Sequence, residues 1–460
     1  MAKSKTSQRD EKHELTRRAL IKWSVAAGAA LGVSRSKIFD ILEGTAGKGV
    51  AFAASEHATA RSVHIADGNG GGAWYQLFWP QVDVAKARNA AFAWHKVGME
   101  TVVPGTANPL VIGPDTPWAT MAAQRQVTAF LCGNNETHTR RPQSPVTLNG
   151  NNIFAIASAL QASSPSVVPV VTINDATIGT APGAATAANV ANADGIVGLF
   201  NSAASRANGL LANTADAQLY KAHYDAFFQL NRAATRSTVK PAFNTADGAA
   251  KFLGTNLSAQ LSVTPDDLTR YGVNGGRANI VAMARALITT VKAFKMGLMN
   301  SVVLPGMGDD PHGAFGGDVN TVPAALKKVF DAFMTDLINT TDDATQVSLA
   351  DDTVITFTTD TTKNPLAANG WPDNTPGNTN VVYVYSAGHL KSGWFGGIDR
   401  AGVVSGFGAD GKPAAYNGAT TAKFATASIA YAIAKRDERA ISTFANGTTI
   451  GGVFGNLKDK

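Results

Sequence analysis

The chain has 460 residues, of which 45% are hydrophobic and only 16% are charged. This apolar fraction can supply a large core, so it excludes wholesale disorder. Ten of the Lys and Arg residues and five of the Asp and Glu residues lie in residues 1–53, which leaves a net charge of +1 on the rest of the chain. No basic stripe remains, so we expect no nucleic-acid partner.

The N-terminal residues contain an export-signal pattern. Arg17-Arg18 is a twin-arginine pair with Lys22 just after it, and a short apolar run, Trp23–Val33, follows. Ala51-Phe52-Ala53 has small residues at the spacing that a signal peptidase accepts. The pattern predicts a twin-arginine leader over residues 1–53, and therefore a periplasmic or extracellular location.

The apolar run of this leader, about eleven residues, is too short to span a bilayer. A soluble amphipathic helix is the alternative interpretation. Because Ser34–Val50 separates the run from the cleavage motif, cleavage elsewhere and retention as a membrane anchor also stay open. No other stretch is long and apolar enough for a membrane helix, so we expect no transmembrane span beyond the leader.

Cysteine usage excludes two kinds of site. Cys132 is the single cysteine, so neither an intrachain disulfide nor a multi-cysteine metal cluster can form. It follows the apolar run Val127–Leu131, and we expect it to be a buried small hydrophobic residue.

The rest of the chain alternates β-branched runs with helical periodicities, which favours an α/β fold with a mostly parallel sheet. The predicted strands are Ser62–Ala66, Val127–Leu131, Val167–Ile173, Ser301–Leu304, Thr353–Thr358 and Val381–Tyr385. The predicted helices are Ala193–Arg236, Ala278–Met299, Val322–Ile338 and Thr421–Arg436. We expect residues 54–460 to form one domain with a helical insertion at about residues 193–300.

Polar residues follow most of these strands. Asp67 follows the first run, Asp310 and His312 follow the fourth, Asp360 follows the fifth and His389 follows the last. Ligands of open parallel sheets bind beyond the carboxyl ends of the strands, so these side chains could converge on one pocket. The alternative is that Asp, Asn and Gly simply favour loops. Both interpretations remain open from the residues alone.

One segment resembles a known family. Ala286–Gly317 contains Lys295-Met296-Gly297-Leu298, then Val302–Gly306 and Asp310-Pro311-His312. It is similar to a segment of the bacterial exported proteins catalogued as domain of unknown function 1501. The leader, the glycines Gly70-Gly71-Gly72, His138 and the stretch Thr359–Pro365 stand in the same order as landmarks of that family.

The resemblance implies an alkaline-phosphatase-like fold, an α/β/α sandwich with a mostly parallel central sheet. It also implies one or two divalent metal ions held by Asp and His at strand ends. The corresponding ligands are Asp67, Asp310, His312, Asp360 and Asp373, with His138, Asn374 and His389 as residues that would surround them. Carboxylates with imidazole suit zinc, manganese, magnesium or calcium.

The sequence also departs from the family. Asn374 stands where the family has the His of a late Asp-His pair, and the family's Phe-Gly-Arg is absent from Thr359–Pro365. Between Asp67 and Pro80 there is no Ser, Thr or Cys to act as a nucleophile. We therefore expect an exported envelope protein with an altered or vestigial metal site and a non-catalytic binding or assembly role, whose envelope partner is unidentified. The alternative is a metal-dependent hydrolase of a small phosphate or sulfate ester.

Two other patterns have simpler interpretations. Gly68–Ala73 fits a relaxed dinucleotide fingerprint but lacks a following helix long enough to hold a phosphate, so we expect a close backbone turn. The second pattern is an aromatic cluster that could stack a sugar but that we expect to pack in the core. Its members are Trp74, Tyr75, Phe78, Trp79, Phe92 and Trp94.

Overall fold

The structure, a computed structural model, describes most of the chain beyond the predicted leader. The described residues are 59–68, 70–87, 100–136, 138, 144–164, 166–200, 252, 256–312, 317–367 and 370–447. The leader, residues 201–250 of the predicted insertion, and the aromatic residues Phe92 and Trp94 lie outside them.

The described strands are short and most of their residues are buried. They are β1 Arg61–Asp67, β2 Thr101–Val102, β3 Val111–Ile112, β4 Val127–Asn134, β5 Thr147–Leu148, β6 Asn151–Asn152, β7 Val170–Ile173, β8 Ala188–Val190, β9 Ser301–Pro305, β10 Thr353–Thr359, β11 Thr379–Tyr385, β12 Gly393–Phe395, β13 Gly397–Ile398, β14 Val404–Phe407 and β15 Pro413–Ala415. All six predicted strands are present, with boundaries that shift by up to three residues.

Eight of these strands form one sheet in the order β12-β4-β11-β10-β1-β9-β7-β8. Every neighbouring pair is parallel except the two pairs made by β11, which runs antiparallel to β10 and β4. The predicted α/β class with a mostly parallel sheet is therefore confirmed. Because of the direction of β11, its amino end lies at the same edge as the carboxyl ends of β1, β4, β9 and β10.

The described α-helices connect and cover these strands. They are α1 Ala73–Gln76, α2 Val82–Lys86, α3 Ile153–Leu160, α4 Ala193–Phe200, α5 Leu257–Leu261, α6 Pro265–Arg270, α7 Ala278–Lys295, α8 Asp318–Asn339, α9 Gly418–Ile433 and α10 Glu438–Ala445. None of the helices in this part of the chain combines the length and the apolarity that a bilayer crossing requires.

Helices pack on both faces of the sheet because its strands are apolar on both faces. Val302 and Leu304 of β9 belong to the hydrophobic cluster that contains α7 and α8. Val303, between them, belongs to the cluster that contains α3 and α9. Alternate residues of one strand thus contact opposite layers, as the two-residue period of a strand requires.

The aromatic residues after β1 are core residues, as predicted. Trp74, Tyr75, Phe78 and Trp79 are all buried, and Tyr75 and Trp79 contact the ring of Phe357 on β10. The single cysteine, on β4, is fully buried as well. This aromatic packing fixes the short segment that carries Gln76, a residue that matters for the site described below.

Candidate functional site

The strand-end carboxylates lie at one edge of the sheet. Asp67 of β1 is paired in register with Thr359 of β10, and Asp360 is the next residue along the chain. The loop after β9 carries Asp310 and His312 to the same edge. The parallel arrangement of β1, β9 and β10 therefore brings these predicted residues to one end of the sheet.

Three of the five predicted ligands form a compact group. Asp310, His312 and Asp373 each offer a ligand atom, and these atoms lie within 4.8 Å of one another. His312 Nε2 is 3.1 Å from Asp310 Oδ2 and 3.5 Å from Asp373 Oδ1. The group is partly open to solvent, since the His312 side chain is 46% exposed. By spacing alone, these three side chains could hold a metal ion.

Lys363, which the sequence analysis did not identify as a site residue, lies among these three side chains. Its Nζ is 2.6 Å from Asp310 Oδ1 and 3.1 Å from His312 Nε2, and it forms an ion pair with Asp373 Oδ1. The Lys363 side chain is 0% exposed. The ammonium therefore supplies positive charge between two carboxylates in the place where the resemblance predicts a metal ion. We call Asp310, His312, Lys363 and Asp373 the lysine cluster.

Two side-chain amides, Gln76 and Asn135, fix the backbone that carries the lysine. The Gln76 side chain donates to the Lys363 carbonyl at 3.1 Å and accepts from the Lys363 N–H at 2.8 Å. Asn135 accepts from Thr362 N at 3.1 Å and donates to the Asp373 carbonyl. Each amide thus satisfies two polar groups at once, so the loop ends that carry Lys363 and Asp373 are held without help from their charged side chains.

The His312 ring has a defined orientation. Its Nδ1 is 2.8 Å from the carbonyl oxygen of Gly370, and a carbonyl oxygen only accepts, so Nδ1 carries a proton and donates. In the neutral imidazole, Nε2 then presents its lone pair to the lysine cluster. A protein histidine that ligates a metal is held in this way, by a hydrogen bond from its other ring nitrogen.

The other two predicted ligands, Asp67 and Asp360, are fully buried and do not belong to the group of Asp310, His312 and Asp373. Asp67 accepts from Met307 N at 2.8 Å and from Gly308 N at 3.2 Å. Burial raises the pKa of Asp67 to about 7; these two hydrogen bonds oppose the shift, and the negative charge of Asp360 adds to it. Asp67 is therefore an enclosed carboxyl group that keeps its proton to a higher pH than an exposed aspartate does.

The glycine loop, Gly70-Gly71-Gly72, lies between Asp310 of the lysine cluster and the buried pair Asp67 and Asp360. Gly70 N donates to Asp360 Oδ1 at 3.3 Å, while a Cβ on Gly70 would lie 2.9 Å from Asp310 Cγ. A Cβ on Gly71 would lie 2.8 Å from Asp67 Oδ1. Backbone without side chains is needed here because the loop packs directly against three aspartates. The predicted close backbone turn is confirmed.

The predicted surrounding residues have different outcomes. His138 is near the group, with Nε2 3.5 Å from Asp310 Oδ2. Asn374 is exposed, and its carbonyl accepts from Asn364 Nδ2 at 3.1 Å. The placement of His389 near the site is wrong. Because β11 is antiparallel, His389 follows it at the opposite edge of the sheet, where its Nδ1 accepts from Arg436.

A divalent ion does not fit the lysine cluster beside the ammonium. Zinc bonds to nitrogen and oxygen ligands at about 2.0–2.2 Å, so an ion bound by Asp310, His312 and Asp373 would lie in the space that Lys363 Nζ occupies. Ion and ammonium would also repel each other at short range. The donor types suit a metal, but the lysine already neutralises much of their charge.

In comparisons with protein-family models, curated proteins and solved structures, nothing matches this chain. The family resemblance and the specific fold that it implies therefore stay predictions.

Proposed function

We propose that this protein is an exported envelope protein of the alkaline-phosphatase-like fold, with an altered metal site and a non-catalytic binding or assembly role. The observation that supports the proposal is the position of Lys363 Nζ, 2.6 Å from Asp310 and 3.1 Å from His312. Helices on both faces of a mostly parallel sheet are compatible with the fold. The twin-arginine pattern supports export.

An ammonium cannot replace a metal ion in ester hydrolysis. It has no vacant coordination position, so it neither binds water as a ligand nor lowers the pKa of that water as a Lewis acid does. The segment between Asp67 and Pro80 also offers no Ser, Thr or Cys nucleophile. The lysine cluster can hold two loops together, but these residues do not supply the hydrolytic chemistry that the resemblance implies.

The alternative function, hydrolysis of a phosphate or sulfate ester, is favoured by one observation. Asp310, His312 and Asp373 are of the right types and within ligand distance of one another. This function requires Lys363 to leave the group when an ion binds. The two proposals therefore differ on a measurable property of the unmodified protein, which is its affinity for divalent cations.

The test is elemental analysis of the exported protein after dialysis against zinc, manganese, magnesium or calcium, followed by gel filtration. We expect no stoichiometric metal, and no hydrolysis of aryl phosphates or sulfates above that of an Asp310→Ala/His312→Ala variant. Stoichiometric metal and turnover that are both lost in this variant would overturn the proposal. Replacing Arg17-Arg18 by Lys-Lys tests export, because the protein should then stay in the cytoplasm.

A further inference from the structure

We infer that Lys363 is a built-in substitute for a divalent cation, and that removing its ammonium converts the lysine cluster into a zinc site. The inference rests on the proposed function, because it assumes that the unmodified cluster binds no metal. It goes further by attributing the absence of metal binding to the Lys363 side chain rather than to a loss of donor residues. Asp310, His312 and Asp373 would then still be able to bind a metal ion.

The charges of the cluster favour a cation at the position of the ammonium. Asp310 and Asp373 each carry a carboxylate against the ammonium of Lys363, and all three side chains are less than one-third exposed. Without the ammonium, the two carboxylates would lie close together with no cation between them. Such a pair is costly unless a cation or protons replace the lost charge. A divalent ion would neutralise both carboxylates.

The orientation of the imidazole supports a zinc site independently of charge. His312 Nδ1 donates to the Gly370 carbonyl at 2.8 Å, so the neutral ring directs the lone pair of Nε2 into the cluster. This is the orientation that a zinc-bound histidine needs. The lysine is therefore the competing group at this donor atom, since its Nζ lies 3.1 Å from Nε2.

The donors do not depend on the lysine side chain for their positions. Asn135 binds the carbonyl of Asp373, and His312 donates to the carbonyl of Gly370. The loop that carries Asp310 begins at Met307 and Gly308, whose N–H groups donate to Asp67. Shortening the lysine to Ala would thus leave space among three donors whose loops are still held. Two carboxylates and one imidazole, with water as the fourth ligand, match the tetrahedral preference of zinc.

The experiment measures zinc binding to the full chain by equilibrium dialysis and elemental analysis, for the wild type, Lys363→Ala and Lys363→Gln. We expect one equivalent of zinc in Lys363→Ala at roughly micromolar concentration. We expect none in the wild type, and none when His312→Ala is added to Lys363→Ala. Zinc should also raise the melting temperature of Lys363→Ala but not that of the wild type.

Two controls separate the local effect from a general loss of positive charge. Lys363→Arg keeps the charge and should bind no zinc. Lys292→Met removes another lysine that pairs with a carboxylate, Asp267 at 2.7 Å on a different part of the surface. It should bind no zinc either, because no imidazole completes a donor set there among the described residues.

The outcomes are distinguishable. Zinc in Lys363→Ala that depends on His312, with none in the wild type, supports the inference. Absence of zinc from the wild type and from both the Ala and Gln variants overturns the inference and leaves the proposed function standing. If both variants are unfolded and zinc does not restore their near-UV circular dichroism, the inference is also wrong. Stoichiometric zinc in the wild type, lost on His312→Ala, overturns the inference, and ester turnover that is lost with it overturns the proposed function as well.

Discussion

Replacing Arg61 by Met should destabilise the protein strongly, because this guanidinium is the centre of a buried ion network. Arg61 pairs with Asp342 and, at 2.7 Å, with Asp352, at the edge of the sheet opposite the lysine cluster. Its side chain is only 10% exposed and lies 5.8 Å from the Phe294 ring centroid. Met retains the unbranched stem and removes the charge.

The size of the loss in stability depends on the contacts that the two aspartates keep when the guanidinium is removed. Asp352 still has the Lys435 ammonium, and Asp342 still accepts from Ala344 N and Thr345 N at 2.8 and 2.6 Å. Removing one partner of a buried pair costs about 3–5 kcal/mol, and these remaining contacts favour the lower end. The lost cation–π contact adds about 0.5–1 kcal/mol. We therefore expect Arg61→Met to lower the free energy of unfolding by about 3–4 kcal/mol.

Arg270→Met is the matched control. Arg270 also lies between two aspartates, Asp267 and Asp336, and also contacts an aromatic ring, that of Tyr271 at 5.5 Å. Its side chain is 43% exposed, so solvent screens both pairs and the expected loss is about 1 kcal/mol or less. The two variants differ chiefly in the burial of the network.

The assay is urea unfolding followed by tryptophan fluorescence, which reports on buried residues such as Trp79 and Trp118. Burial raises the pKa of Asp342, but the Arg61 charge and the hydrogen bonds from Thr345 and Ala344 together hold that pKa below its usual value. The cost of Arg61→Met should therefore shrink as the pH falls below about 4, where aspartates become protonated. Equal losses in the two variants, or no loss in Arg61→Met, would refute the reasoning.

Three further predictions concern buried groups. Because burial raises the pKa of Asp67 to about 7, the folded state binds that proton more tightly than the unfolded chain does. In urea unfolding, the free energy of unfolding should therefore fall by about 2–3 kcal/mol between about pH 5 and 8. In Asp67→Asn the free energy of unfolding should change much less over the same pH range. A Cβ on Gly72 would lie 2.0 Å from Thr359 Oγ1, so Gly72→Ala should cost at least about 2 kcal/mol. Gly198→Ala on α4, where a Cβ meets nothing within 4 Å, should instead leave the free energy of unfolding unchanged or raise it by about 0.5–1 kcal/mol in the same assay. Equal effects of the two substitutions would contradict this steric argument. Burial raises the pKa of the Cys132 thiol far above its usual value, so a thiol reagent should modify it only after denaturation, and rapid reaction in native buffer would be the contrary result.

The sheet could be predicted from the sequence because its strands are covered on both faces. The β-branched residues of Thr353–Thr358 alone predict a strand, and the structure has β10 there, longer by one residue. Strands with few β-branched residues were missed. β12, Gly393–Phe395, contains a glycine and two aromatic residues, and it is a strand because it pairs with β4 at the sheet edge.

Strand direction could not be predicted, and one error of site placement follows from it. An apolar run has the same pattern whether its strand is parallel or antiparallel, and the connection from β10 to β11 is a loop that carries Asp373. Because β11 starts at the edge where β10 ends, His389 lies at the far edge and Asp373 at the near one. Direction depends on the path of that loop, which local sequence does not encode.

The sequence predicted the acidic and histidine residues of the site but not the lysine that lies among them. The predicted ligands were carboxylates and imidazoles, and three of them, Asp310, His312 and Asp373, do lie together. The signal for the missing component was present, since Lys363 is the single basic residue between Asp360 and Asp373. A lysine in a loop is ordinarily solvated. Here the lysine is buried, and the amide of Gln76, nearly 290 residues earlier in the chain, binds its backbone.

The position of this lysine shows why a set of potential metal ligands is, by itself, a weak guide to the chemistry at a strand-end site. Carboxylates and imidazole require a neutralising cation, but they do not specify whether it is a metal ion or a side chain. A lysine that reaches the same atoms provides charge and fixes loops, while it removes the vacant coordination position on which hydrolysis would depend. In this protein a lysine ammonium lies among the carboxylates, and a distant glutamine binds the backbone of that lysine. The positive groups within reach of a set of carboxylates therefore carry as much functional information as the carboxylates themselves.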